Sequence, residues 1–306
     1  RLSPAPVVVD TWSTRWEEHP IDDVGAAEKA DLLVAATGAA VDAGADLGTA
    51  ACRAWDTEKW FASSEGSRVH QRIVECGAVV EAVAVGEGET QRRSYPGVGG
   101  QYGTRGWELV RGLDLVGHAA TMGDQAAALL RAPECPAGVT TVILDADQVA
   151  LQVHESIGHA VELDRILGWE AAFAGTSWLD PGWIGRLRFG SELLQVTADA
   201  TLPGAVGSFG YDDEGVAAQR VDIVRDGRWV GVLSGRDSAP LVGRSSGGMV
   251  RADGPSRLPM VRMTNVGLLP GESSLEEMVS TTRRGILMQT NRSRSEERRV
   301  GKDGRS

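Results

Sequence analysis

The chain has 306 residues, 42% of them hydrophobic and 24% charged, with a formal net charge of −11. These ordinary globular proportions exclude the disordered and collagenous classes, and the length allows two domains with a core each. An acidic chain repels phosphate, which argues against a nucleic-acid partner, and no apolar run approaches the roughly eighteen residues of a membrane span.

The start, Arg1-Leu2-Ser3-Pro4, is no signal peptide, so the expected compartment is the cytoplasm. Cys52, Cys76 and Cys135 form no CxxC pair and read as reduced thiols. There is no initiating Met and the chain opens in a Pro-rich extended stretch, so its front is expected to be cut. Asp23 is placed to cap a helix over 24–43, with Leu32, Leu33, Ala36 and Ala40 near helical spacing and Gly44 as its stop. From about 48 to 85 the pattern turns to strands: 59–62, a turn at Ser63-Ser64-Glu65-Gly66, then 68–76 and 78–85, an antiparallel meander. Residues 87–106 hold six glycines and Pro96 and are expected to form a long loop. Residues 107–131 return to helix.

Two prolines and a glycine in 132–138 end that helix and mark the expected boundary between a first domain, 1–132, and a second, 139–293. Residues 140–144 read as a buried strand, Asp145 or Asp147 as an N-cap, and the helix that follows carries Val149, Ala150, Leu151 and Val153. Strands are expected at 194–197, 221–224 and 229–233, the last two joined by the hairpin signal Asp226-Gly227. The expected class is therefore α+β, two domains of mostly antiparallel sheet with packed helices. The tail 294–306 looks like translated adapter DNA and is expected to pack against nothing.

The stretch His154-Glu155-Ser156-Ile157-Gly158-His159 crowds reactive side chains. It sits on a helix of the second domain. Two imidazoles and a carboxylate supply two metal ligands and a general base, the set with which a metallohydrolase activates water. His19, His70 and His118 stand alone and read as core or surface. On a straight α-helix residues i and i+5 lie about 140° apart, so both histidines meet one ion only if a π-bulge or a break at Gly158 intervenes. A catalytic zinc takes three protein ligands, so a third must come from elsewhere.

The motif with Ala160-Val161-Glu162 after it, then Gly175-Thr176-Ser177, Asp212-Asp213-Glu214-Gly215, 258–265, Gly271-Glu272 and Thr290-Asn291-Arg292-Ser293, resembles the TldD/PmbA family of zinc metallopeptidases. The likeness covers most of 139–293, and the 63–66 turn extends it into the first half. It implies a cytoplasmic peptidase of the TldD type in which His154 and His159 bind Zn2+, Glu155 is the base, and a cysteine near the family's C-terminus is the third ligand. No cysteine follows Cys135, which truncation explains most simply; Cys135 replaces it only if its linker folds back onto the motif. The resemblance further implies short or unfolded peptides as substrates and a dimer, with a PmbA/TldE-type partner or a second copy.

Glu162 lies about 80° around a helix from His154, placed either to hydrogen-bond a ligand imidazole or to face solvent. Asp212, Asp213 and Glu214 either line the cleft or form an acidic turn. The rival function is a non-catalytic subunit that holds peptide in a dimer without cutting it. Retention of Glu155 favours the enzyme.

Overall fold

A computed structural model describes residues 2–290. The expectation for 294–306 lies outside them. Two long antiparallel strands, β2 (Leu47–Ala62) and β3 (Arg68–Gly86), form a hairpin paired from Leu47↔Val83 to Ala62↔Arg68. The two segments expected at 68–76 and 78–85 are one strand. Short β1 (Val9–Ser13) runs parallel to its start.

Alternation along β3 puts Val74, Cys76, Ala78, Val80, Ala82 and Ala84 on one face, each at most 1% exposed. Helices α1 (Ala26–Asp42) and α3 (Leu115–Leu129) cover that face. The small side chains let them sit close. At Gly123 in α3 a Cβ would collide with the Ala40 carbonyl of α1.

Three expectations for this half are corrected. Gly25, not Asp23, is the N-cap of α1; the Asp23 carboxylate accepts the His19 amide at 2.6 Å. Residues 87–106 are not one loop, because β4 (Glu89–Tyr95) and β5 (Gln101–Gly103) pair with the long edge that β3 offers. The 107–131 helix is two, α2 (Glu108–Gly112) and α3, since Asp114 takes a left-handed conformation and caps α3 by accepting from Gly117. Residues 132–138 carry no regular element and are exposed.

Beyond them β6 (Thr141–Leu144) is half exposed rather than buried, and its partner is the distant β13 (Gly285–Met288), in parallel. Asp145 caps α4 (Ala146–Val153) by accepting from Ala146 at 2.7 Å. A four-stranded antiparallel sheet of order β12-β7-β8-β9 follows: β7 (Val196–Asp199), β8 (Arg220–Arg225), β9 (Arg228–Trp229) and β12 (Val266–Leu268). Asp226 (φ 50°) and Gly227 (φ 72°) form the β8–β9 turn, both left-handed as a type I′ hairpin requires. The small pair β10 (Val250–Arg251) and β11 (Met260–Val261) closes the core built on Val161, Leu163, Ile223, Trp229, Leu233 and Met249. Mixed α+β architecture of mostly antiparallel sheets is thus the fold. No described helix is long and apolar enough to cross a membrane.

Loops of the second half clamp onto the first. The Gln71 side chain receives the Gly210 and Tyr211 amides at 2.9 Å each and donates to the Tyr211 carbonyl. Buried Arg236 forms a two-pronged ion pair with Glu65 at 2.6 and 2.8 Å, and Lys59 pairs with Asp213.

Candidate metal centre

The i, i+5 spacing is resolved by backbone, not by side-chain reach. After α4 the helix widens into one π-turn, His154–Gly158, and then tightens into a 3-10 turn, His159–Val161. The extra residue carries His159 back over His154. Gly158 permits this, since it is buried and a Cβ there would run into Met263 Sδ.

The two Nε2 atoms lie 3.0 Å apart, with ring planes at 90°. Two zinc–nitrogen bonds of ~2.05 Å at a tetrahedral angle place their nitrogens about 3.3 Å apart, so a small adjustment fits the pair to one ion. Glu155 Oε1 is 3.8 Å from His154 Nε2, and ligand atoms of His154, Glu155 and His159 all fall within 4.8 Å of one another. Among the described residues no other His, Cys, Asp or Glu joins them, and Cys135 stays exposed in its linker.

One side of the cluster is open and the other closed. Glu155 and His154 are 48% and 37% exposed, whereas Glu162 beneath is fully buried. Glu162 Oε2 lies 3.0 Å from His159 Nδ1. A carboxylate only accepts, so His159 Nδ1–H donates to it and Nε2 is left unprotonated, facing His154 Nε2. Arg165 Nε stands 2.6 Å from the same oxygen. Sequence reading missed Arg165, although the i, i+3 step from Glu162 is a readable helical pair.

The stretches downstream support the turn. Ser177 donates to the Ala160 carbonyl at 2.7 Å, an acceptor left over where the helix changes pitch. Asp164 accepts the Val261 amide at 3.0 Å and Glu170 pairs with Arg262 at 2.7 Å, docking β11 against the motif. Asn265 bridges Gly207, Ser208 and Asp199.

Asp212, Asp213 and Glu214 do not join the cluster. Asp212 accepts the Glu214, Val216 and Val250 amides at 3.0, 2.9 and 3.2 Å, and burial pushes its pKa up to about 6. Asp213 takes Lys59 and the Ala252 amide. Glu214 accepts the Arg236 amide at 2.7 Å, with burial raising it to about 7. Their oxygens are directed at backbone and at the clamp. A separate cleft of about 910 Å3 between β1 and the 200–211 loop is lined by Trp12, Trp16, Phe209 and Tyr211 among others, and none of the three cluster residues faces it.

Residues 137–296 match the family model described as the PmbA/TldA metallopeptidase C-terminal domain, and residues 19–132 match that of the central domain. A metalloprotease of Methanocaldococcus jannaschii is 34% identical over 232 residues, 76% of this chain and 48% of that protein. One of Methanothermobacter thermautotrophicus is 31% identical over 274 residues, 90% and 57%. A protein of Saccharolobus solfataricus named as a zinc metalloprotease TldD homolog is 29% identical over 153 residues, 50% and 32%. The chain spans about half the length of the first two relatives. The crystal structure of TldE from Thermococcus kodakarensis superposes with a TM-score of 0.67 at 16% identity, covering 95% of this chain and 63% of that one. A Thermotoga maritima structure gives 0.71 at 16% identity, covering 90% and 59%. At these identities the structures show a shared fold.

Proposed function

Because the chain belongs to the PmbA/TldD metallopeptidase family, we propose that it is the metal-binding, TldD-type subunit of a zinc-dependent peptidase acting on short or unfolded peptides in the cytoplasm. The observation that carries this reading is the convergence of His154 and His159 Nε2 beside the Glu155 carboxylate. A zinc ion held by the two imidazoles would supply Lewis acidity, polarising the scissile carbonyl and acidifying a water. Glu155, on the open side, takes the water's proton and delivers it to the leaving amine. Glu162 holds His159 with Nε2 presented to the metal. The resemblance assigns the third ligand to a cysteine toward the family's C-terminus, and no cysteine follows Cys135. This chain alone should therefore hold zinc more loosely than one that carries all three ligands. A PmbA/TldE-type subunit, or a second copy, is the expected partner.

The test is cleavage of an unstructured peptide by a zinc-loaded form that carries all three ligands, since this chain alone should cut weakly or not at all, and by its Glu155→Gln variant, with bound zinc measured in both. The variant should keep its zinc and lose turnover by roughly 10²–10⁴, as expected for a general base. Equal cleavage by the two would remove Glu155 from the mechanism. Peptide binding without cleavage by the wild type would favour the non-catalytic rival.

A further inference from the structure

Glu162 is fully buried, and the backbone on either side of it is locked: Leu163 donates to the Leu233 carbonyl at 2.9 Å and Leu233 to that of Val161 at 3.0 Å. A buried carboxylate is strongly unfavourable without a cation beside it. Arg251 and Arg262 contribute to the field around it, but among the described residues Arg165 is the one arginine or lysine within ion-pair distance of it, at the same Oε2 that faces His159 Nδ1. The other prong of that guanidinium, an Nη, donates to the Ala174 carbonyl at 2.7 Å. Anchored by that Nη and only 15% exposed, Arg165 keeps its guanidinium against Glu162 by charge and close packing, its Nε forming no hydrogen bond of its own.

We propose that Arg165 is a positioning residue of the metal centre: by fixing Glu162 it selects the Nδ1–H tautomer of His159 and so keeps Nε2 free for the metal. The inference rests on the zinc reading above and deepens it. Free imidazole prefers the Nε2–H tautomer, which would block the ligand atom. The acceptor at Nδ1 overrides that preference while Oε2 stays in place, acting together with His154 Nε2, which lies 3.0 Å from the other ring nitrogen. Lysine cannot substitute fully, because one ammonium on a flexible stem does not reproduce a planar fork that spans Glu162 and Ala174.

The experiment records nitrogen-15 spectra of the histidine rings in the metal-free full chain, at a pH where the imidazoles are neutral, for wild type, Arg165→Lys and Arg165→Met. Zinc affinity is measured alongside by competition with a chromophoric chelator. Wild type should show His159 as Nδ1–H. Arg165→Met should populate Nε2–H and bind zinc about 10–100-fold more weakly, with Arg165→Lys between the two. A folded Arg165→Met protein with unchanged tautomer and affinity would overturn the proposal. Should the methionine variant fail to fold, the lysine variant decides: a mixed tautomer supports the role, and a wild-type spectrum overturns it. If wild type takes up no zinc, the zinc reading fails, while the tautomer comparison still decides whether Arg165 governs His159.

Discussion

At the scale of single residues, position in the fold assigns different work to carboxylates that look alike in the sequence. Glu155 faces the open side of the cluster, Glu162 is sealed beneath it, and Asp212 and Glu214 bind amides in another loop. The last two are raised by burial from 3.8 and 4.5 to about 6 and about 7. A raised acid holds its proton longer when folded than unfolded. The stability it contributes is thus present below its unfolded value and lost as pH rises through its folded one. Unfolding temperature should therefore decline from about pH 4 to about pH 7 in the part governed by these groups. Glu214→Gln keeps an acceptor for the Arg236 amide but cannot ionise. It should flatten the decline and raise the unfolding temperature at pH 8 by roughly 2–4 °C, the response of a domain of about 150–250 residues to ~1 kcal/mol. Parallel pH curves for wild type and variant would show that Glu214 is not the group responsible.

Among elements, the π-turn is the feature on which the site depends, and it was legible. Two histidines five apart with a glycine between them cannot face one ion on a regular helix, so the spacing calls for a π-bulge or a break at Gly158, and the structure has the π-turn. The α4 cap, read as Asp145 or Asp147 and found at Asp145, and the Asp226-Gly227 turn were legible for the same local reason, each depending on the residues that form it. Nonlocal packing was not. The strands β4 and β5 form in a glycine-dense stretch because β3 extends far enough to pair with them, and β6 finds its partner more than a hundred residues away. Arg165 was overlooked because its importance lies in what Glu162 touches. Gly158→Ala tests the turn. In an ordinary helix this change stabilises by up to about 1 kcal/mol. Here the new methyl meets Met263 Sδ, so the expected outcome is a loss of about 1–3 kcal/mol and weaker zinc binding. Adding Met263→Ala should relieve part of the loss, with a coupling of at least ~0.5 kcal/mol in chemical denaturation; strictly additive effects would show that the two do not press on each other.

Across the whole molecule, the cluster belongs to the second half alone, while the first half holds the surrounding loops through Gln71, Lys59 and Glu65. Of the motif stretches distant in sequence from the histidines, Asn265 ties the 199–208 loop and Asp212 ties β10 to its turn. The central claim is that this scaffold presents two imidazoles to one zinc ion. X-ray absorption at the zinc edge, on the chain loaded with one equivalent of zinc, tests it most directly. The account predicts two imidazole ligands at about 2.0–2.1 Å, with one lost in each of His154→Ala and His159→Ala. A spectrum without imidazole scattering, or one indifferent to both substitutions, would contradict it.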